Sequence, residues 1–181
     1  MPTRKQEILG AALALADEAG LDAVTMRAVA ARVGITPMAL YRHVADKGAL
    51  LDGVLDAAVE GVRPPDPALP WEERLRRLAD DVRAAGRRHP TVIGLAFSRP
   101  GQTPALRRLV GVIQGALAEA GVPEDQHARL ERMISTFVVG FIVSEVSGRF
   151  PEGVEPFFTR EYHADVADIL GLVRAAAATS A

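Results

Sequence analysis

Between Thr25 and Lys47 the chain reads TMRAVAARVGITPMALYRHVADK, and this run constrains the fold more than any other part of the sequence. Met26, Val29, Ala30 and Val33 recur at the i, i+3, i+4, i+7 spacing of one helical face. Thr25 precedes them as an N-cap, because its hydroxyl can accept a bond from a free amide of the first turn. Gly34 stands where the helix must stop in a left-handed conformation, which glycine takes at little cost. Thr36-Pro37 restarts it, since proline's missing N–H would be unpaired in the first turn anyway. This second helix is expected from about Pro37 to Val44, with Ile35, Leu40 and Val44 turned toward the first. Asp46 then caps a third helix, expected to reach about Val62. That order of elements is a helix-turn-helix, a device that lays one helix in the major groove of DNA.

The face left outward on the second helix carries mixed contact chemistry. Arg42 can donate two bonds to a guanine edge, and Met38 or Ala39 can touch a thymine methyl. Tyr41 and Lys47 suit phosphate oxygens, which fix register without reading sequence. A merely solvated helix face would also expose Arg and His. The combination of caps, glycine turn and proline restart favours a DNA reader.

The segment GITPMALYRHVADKGALLDGVL resembles the recognition region of the TetR family of bacterial transcriptional repressors. The resemblance is strong over about the first 60 residues. It continues more weakly through Pro70-Trp71-Glu72-Glu73-Arg74-Leu75, His89-Pro90 and the apolar run near Phe137, which are similar to the tetracycline-repressor-like C-terminal domain. It implies that Tyr41, His43 and Lys47 grip DNA, and that Thr36, Pro37, Met38 and Arg42 vary with the operator read. Arg27, beside Thr25 at the start of the first motif helix, matches a further contact position. The candidate DNA contacts are thus Thr25, Arg27, Thr36, Pro37, Met38, Ala39, Tyr41, Arg42, His43 and Lys47.

Charge agrees in sign but is small. Residues 1–47 hold six Lys/Arg (Arg4, Lys5, Arg27, Arg32, Arg42, Lys47) against five Asp/Glu (Glu7, Asp17, Glu18, Asp22, Asp46), within a chain of net charge −2. DNA affinity would have to come from focused phosphate contacts and from doubling in a dimer, not from a broad field. The chain has no Cys, so it has neither a disulfide framework nor a thiolate metal site. It begins without the apolar stretch of a signal peptide. Its longest apolar run, Met133 to Val146, is interrupted by Ser, Thr and Gly and falls short of the roughly 20 residues of a membrane span. A soluble, cytoplasmic protein without membrane contact is expected.

Proline sets the organisation further on. Arg63-Pro64-Pro65-Asp66-Pro67-Ala68-Leu69-Pro70 cannot be helix interior. Helical periods follow over Trp71 to Arg88, Pro90 to about Phe97, Ala105 to Ala120, Glu124 to about Arg149, and about Phe158 to Ala177. No segment alternates as a strand. The expected fold is all-α. A helix-turn-helix DNA-binding domain (residues 1–62) and a proline-rich linker (63–70) precede a helical-bundle ligand-binding and dimerisation domain (71–181).

Beyond Met133 the longest helix is apolar nearly all round, so it must be covered on every side. A dimer answers this by setting that helix and the last one against their symmetry mates, and a two-fold dimer suits a palindromic operator. An apolar ligand pocket would draw on Val82, Phe97, Ile113, Leu117, Phe137 and Phe141. Polar residues in apolar surroundings point the same way, because burying them unpaired is costly: His89, Arg99, Gln114, Ser144 and Glu145. Glu145 either touches ligand or pairs with an Arg across the dimer. The tetracycline repressors to which the chain is similar bind drug-chelated magnesium with a His before an Arg-Pro pair. Here Ile93 to Ser98, before Arg99-Pro100, holds no His. That leaves an apolar or aromatic small molecule as the expected inducer.

An enzyme is disfavoured, because no His-Glu-x-x-His, Gly-x-Ser-x-Gly or phosphate-binding Gly-rich loop occurs. His127 and Glu131 share a helical face, but a solvated pair is far commoner than a metal site at that spacing. No metal or cofactor is expected. The expected function is a ligand-responsive, homodimeric repressor released from its operator by the effector, with the helix from Asp46 to about Val62 as lever. A transcriptional activator, or a helical dimer using its N-terminal unit for protein contacts, are the alternatives.

Overall fold

The computed structural model describes residues 2–98, 103–149 and 155–178, and every regular element among them is helical. The order is α1 (Arg4–Ala19), a 3-10 turn (Leu21–Ala23), α2 (Met26–Val33), α3 (Pro37–Tyr41), α4 (Lys47–Val59), α5 (Trp71–Arg88), α6 (Pro90–Ile93), α7 (Leu95–Ser98), α8 (Pro104–Glu119), α9 (Glu124–Val146) and α10 (Glu155–Ala178). Some ends differ from the periodic pattern. Regular α3 stops at Tyr41, after which the His43 and Val44 amides both bond to the Leu40 carbonyl at 2.9 and 3.1 Å. The helix after Asp46 ends at Val59 instead of Val62. The single helix expected over Pro90 to Phe97 is two short helices that meet at Gly94. The last helix begins at Glu155, ahead of the expected Phe158. Of the loop that the sequence suggests from Arg99 to Pro104, Pro104 instead opens α8, while Arg99 to Gln102 and the proline-glycine break from Phe150 to Gly153 lie outside the described residues.

The chain divides into two compact units: Met1–Gly61 with Arg88–Leu106, and Val62–Arg87 with Arg107–Ala181. The segment 88–106 therefore packs with the N-terminal unit, not with the C-terminal bundle where its place in the sequence had put it. Val92 and Leu95 join the core of α1 to α4 and account for the difference: their side chains are buried against it.

The first unit is held by a core in which Ile8, Ala12 and Ala16 of α1 meet Val29, Ala30, Leu40, Leu50, Val54 and Leu55. Removing a side chain such as Leu40 from water stabilises by roughly 1.5–3 kcal/mol. α1 and α4 pack tightly at Gly53, where a Cβ would sit 2.4 Å from a Leu9 methyl. At the rim, Arg32 donates two hydrogen bonds to Glu18, at 2.7 and 2.5 Å, and this arginine is what holds the Glu18 carboxyl below its ordinary range.

The second unit comprises α5, the rest of α8, α9 and α10. Leu75, Leu78, Leu117, Ile142, Tyr162, Leu170 and Val173 form its interior. Asp66 orders the proline-rich stretch, its carboxylate accepting from the Ala68 amide at 2.9 Å. Met133, Phe157 and Leu172 remain exposed on α9 and α10. No helix among the described residues is long and apolar enough to cross a membrane.

Candidate nucleic-acid interface and effector site

Local chemistry builds the helix-turn-helix. The Thr25 hydroxyl accepts from the Ala28 amide at 3.1 Å and starts α2. Gly34 ends it at φ 71°, ψ 35°, and the Gly34 and Ile35 amides bond back to the Ala31 and Ala30 carbonyls at 3.2 and 2.9 Å. Glycine is needed there because a Cβ clashes with the backbone in the left-handed region. The Thr36 hydroxyl accepts from the Ala39 amide at 3.2 Å, with Pro37 opening α3. Asp46 accepts from the Ala49 amide at 2.7 Å and starts α4. Each helix start is thus capped by a side chain of the segment itself, and Leu40 and Val44 anchor α3 to the core.

What α3 does not bury is left uncommitted. Met38 is 73% exposed, and Thr36, Pro37, Tyr41, Arg42 and His43 are exposed around it, with Ala39 half-buried. Thr25, Arg27 and Lys47 are exposed too. Arg4 and Arg32 of the same unit are paired with Glu7 and Glu18. Among the described residues, no hydrogen bond or ion pair engages the side chains of Arg27, Tyr41, Arg42, His43 or Lys47. Exposed cations without internal partners beside a methionine and a tyrosine on a rigid support can meet phosphate oxygens and base edges at little internal cost.

The eleven effector candidates are divided between the two units. His89 and Phe97 belong to the first unit. His89 precedes α6 without a side-chain cap bond to it, and its Nδ1 lies 2.9 Å from the Asp17 carboxylate of α1, while Phe97 is exposed. Arg99 lies outside the described residues. Gln114 faces solvent on α8, contrary to its reading as a polar residue in apolar surroundings: only Ile113, Leu117 and their stripe turn inward. Val82 is half-buried on α5.

Phe137, Phe141 and Glu145 do converge, in the second unit, around a residue that sequence reasoning missed. Arg83 is buried on α5. It binds the Glu145 carboxylate with Nε and Nη2, and its Nη1 donates to the Thr159 hydroxyl at 3.1 Å. Its guanidinium lies 4.9 Å from the centre of the Tyr162 ring and 6.0 Å from that of Phe141. The Phe137 ring stacks near Tyr162, with centroids 6.3 Å apart. Glu145 is thus engaged by an arginine of its own chain, a partner neither sequence alternative considered. The signal was available: Arg83 falls four residues after Ala79 and eight after Leu75, inside the apolar stripe of α5. Among the described residues no group of three or more His, Asp or Glu could hold a metal ion. The clefts beside this cluster are open grooves along α9 and α10. One, of about 610 Å³, is lined by Met133, Phe137, Ile169 and Leu172, and another, of about 560 Å³, by Phe141, Ser144, Phe157 and Phe158.

Residues 8–54 match the family described as bacterial regulatory proteins, tetR family, and residues 63–167 match the tetracyclin repressor-like C-terminal domain. The HTH-type transcriptional repressor DrrR1 of Streptomyces coeruleorubidus is 31% identical over 141 residues, which cover 77% of this chain and 52% of that protein. An HTH-type transcriptional regulator of Saccharopolyspora erythraea is 30% identical over 142 residues, 78% of this chain and 60% of that protein. The chain therefore spans little more than half the length of these curated relatives. Among solved structures, BioQ of Mycobacterium smegmatis superposes with a TM-score of 0.86 at 26% identity, over 96% of this chain and 99% of its own. A BioQ structure with its double-stranded DNA operator superposes with a TM-score of 0.81. With both halves of the chain matched and the fold shared along nearly its whole length, the chain belongs to the TetR family of bacterial regulatory proteins.

Proposed function

We propose that the protein is a homodimeric, ligand-responsive transcriptional repressor that reads a palindromic DNA operator through α3. The observation that carries this reading is the outward face of α3 and its flanks. Among the described residues, Arg27, Tyr41, Arg42, His43 and Lys47 are exposed and have no internal partner, on a support whose helix starts are capped. Thr25, Thr36, Pro37, Met38 and Ala39 complete the contact set. The similarity to a BioQ structure solved with its operator supports the same assignment.

Dimerisation supplies the uncovered part of the argument. Met133, Phe157 and Leu172 leave an apolar flank on α9 and α10 open to water in the single chain. A second copy that covers this flank makes a four-helix interface and brings two α3 helices to half-sites about 34–36 Å apart, or a multiple of that. The effector is a small apolar or aromatic molecule taken up by the second unit, near the aromatic cluster of Phe137, Phe141 and Tyr162. It lowers DNA affinity only by as much as it prefers a state with the reading heads splayed.

A gel-shift assay at low salt with duplexes from the promoters flanking the gene tests the proposal. A specific shift on a palindromic fragment, weakening steeply with salt, is expected. No specific shift on any such fragment would overturn it.

A further inference from the structure

The side chain of Asp56 reaches from α4 to the start of a helix 49 positions away. Its Oδ1 accepts a hydrogen bond from the Ala105 amide at 3.1 Å, in the first turn of α8. Helix starts are commonly capped by the residue just before them. Here that residue, Thr103, accepts from the Leu106 amide at 3.4 Å, and among the described residues it is a distant carboxylate that meets the Ala105 amide. Thr103 and Ala105 are both buried, so water is a poor substitute. A carboxylate at a helix start is also held by the helix dipole, which makes the contact directional.

Both helices lead somewhere. α4 begins at Lys47, directly after the reading face of α3, so a displacement of α4 is a displacement of the reading head. α8 starts in the first unit and continues through Leu106 into the second, where Ile113, Ala116 and Leu117 are buried. A second bond lies within the second unit. Arg108 of α8 donates from Nη2 to the carbonyl of Val62, three residues past the end of α4, at 3.3 Å.

We propose that Asp56 is the positioning residue through which the body of the protein is coupled to the DNA-reading head, by fixing α4 to the first turn of α8. The inference rests on the regulator reading above. An effector that shifts α8 in the second unit shifts α4 through the Asp56 cap, and DNA that holds α4 holds the start of α8 in return, because such coupling is reciprocal.

Hydrogen exchange with and without DNA tests this without knowledge of the effector. The probe is the promoter duplex that gives a specific gel shift with the wild-type protein. Adding it is expected to slow exchange of the Ala105 and Leu106 amides by about fivefold or more, the lower edge of ordinary coupling strengths. In Asp56→Ala the duplex still binds, but this slowing falls below about twofold, the loss of coupling appearing at α8 and not in affinity. Asp56→Asn, which keeps an oxygen acceptor, restores it. A cap with a merely structural role would quicken exchange in Asp56→Ala equally with and without DNA. Wild-type protein that binds the duplex with no change at Ala105 and Leu106 overturns the coupling while leaving the regulator reading intact, and that measurement stands even where Asp56→Ala does not fold. Absence of any specific duplex overturns the regulator reading and this inference with it.

Discussion

The Arg83 guanidinium and the Glu145 carboxylate meet face to face across α5 and α9, Nε to Oε2 at 2.9 Å and Nη2 to Oε1 at 2.6 Å, with both side chains only 8% exposed. The two charges are desolvated together, Thr159, Tyr162 and Phe141 stand beside the guanidinium, and Arg87 approaches the same Glu145 oxygen at 3.9 Å. Such a pair is costly to break from one side when the survivor stays buried and uncompensated. Glu145→Leu, which strands Arg83, should destabilise the protein by about 3–5 kcal/mol, Arg83→Met by less because Arg87 is still beside Glu145, and the double replacement distinctly less than Glu145→Leu. Urea denaturation of the three variants at one fixed protein concentration measures this. Additive losses in the double variant would show that the two groups do not act as a pair.

Tyr162 lies beneath that pair and donates its hydroxyl to the Ala79 carbonyl at 2.7 Å. Burial, reinforced by the negative charge of Asp80, pushes its phenol well above the ordinary tyrosine range. The sign follows from the raised value. The fold prefers the neutral phenol, so the contribution is complete below about pH 10, the unfolded value, and is lost as pH rises beyond it. In a Tyr41→Phe background, where Tyr162 is the tyrosine left to report, tyrosinate absorbance should rise together with loss of helical circular dichroism. Tyrosinate that forms while the helices are intact would contradict the buried hydrogen bond.

How much of this was legible in the sequence depends on how far each partner lies along the chain. Thr25, Gly34, Thr36 and Asp46 act on amides within a few residues, so the residue type and its spacing already name the partner. The same locality made the helices of the second unit readable from their period. Arg83 reads as an interruption of the α5 stripe until Glu145, 62 positions later, is placed beside it. Gln114 looked inward because its neighbours Ile113 and Leu117 are, but a single helical step turns it to solvent. His89 and the short helices after it sit between two segments of the bundle in sequence. Only the burial of Val92 and Leu95 against the α1–α4 core reveals that they pack elsewhere. Even there the period is silent, since a four-residue helix is too short to display one.

The crossing of α1 and α4 at Gly53 gives a steric prediction. A methyl added there would meet the two Leu9 methyls at 2.4 and 2.9 Å, so the leucine must move or the helices must part. Gly53→Ala should therefore gain less than the roughly 1 kcal/mol that alanine's better helix propensity would otherwise bring, because Leu9 must give way. Shortening Leu9 to Ala in the same chain removes the clash, so the double variant should be more stable than the sum of the single changes implies. Thermal unfolding of the four proteins completes the cycle, and strict additivity would contradict the close approach.

Arg42 and Lys47 separate reading from gripping. Both are exposed and, among the described residues, free of internal partners, so neither replacement removes an interaction seen within the fold, and changes in DNA binding reflect contact. Arg42 lies at the end of α3, where a fork of donors can meet a guanine edge, a contact worth about 1–3 kcal/mol of discrimination. Arg42→Ala should therefore weaken binding to the cognate operator strongly, and weaken it little on an operator altered at the one base pair it reads. Lys47 lies at the first residue of α4, where a point charge can meet a phosphate. Lys47→Ala should weaken binding alike on every sequence and reduce the slope of log affinity against log salt by about one per protomer. Binding isotherms for both variants, on both operators and at several salt concentrations, check the two patterns at once. Equal losses for Arg42→Ala on the two operators would reassign it from reader to grip. An unchanged salt slope for Lys47→Ala would remove that residue from the interface.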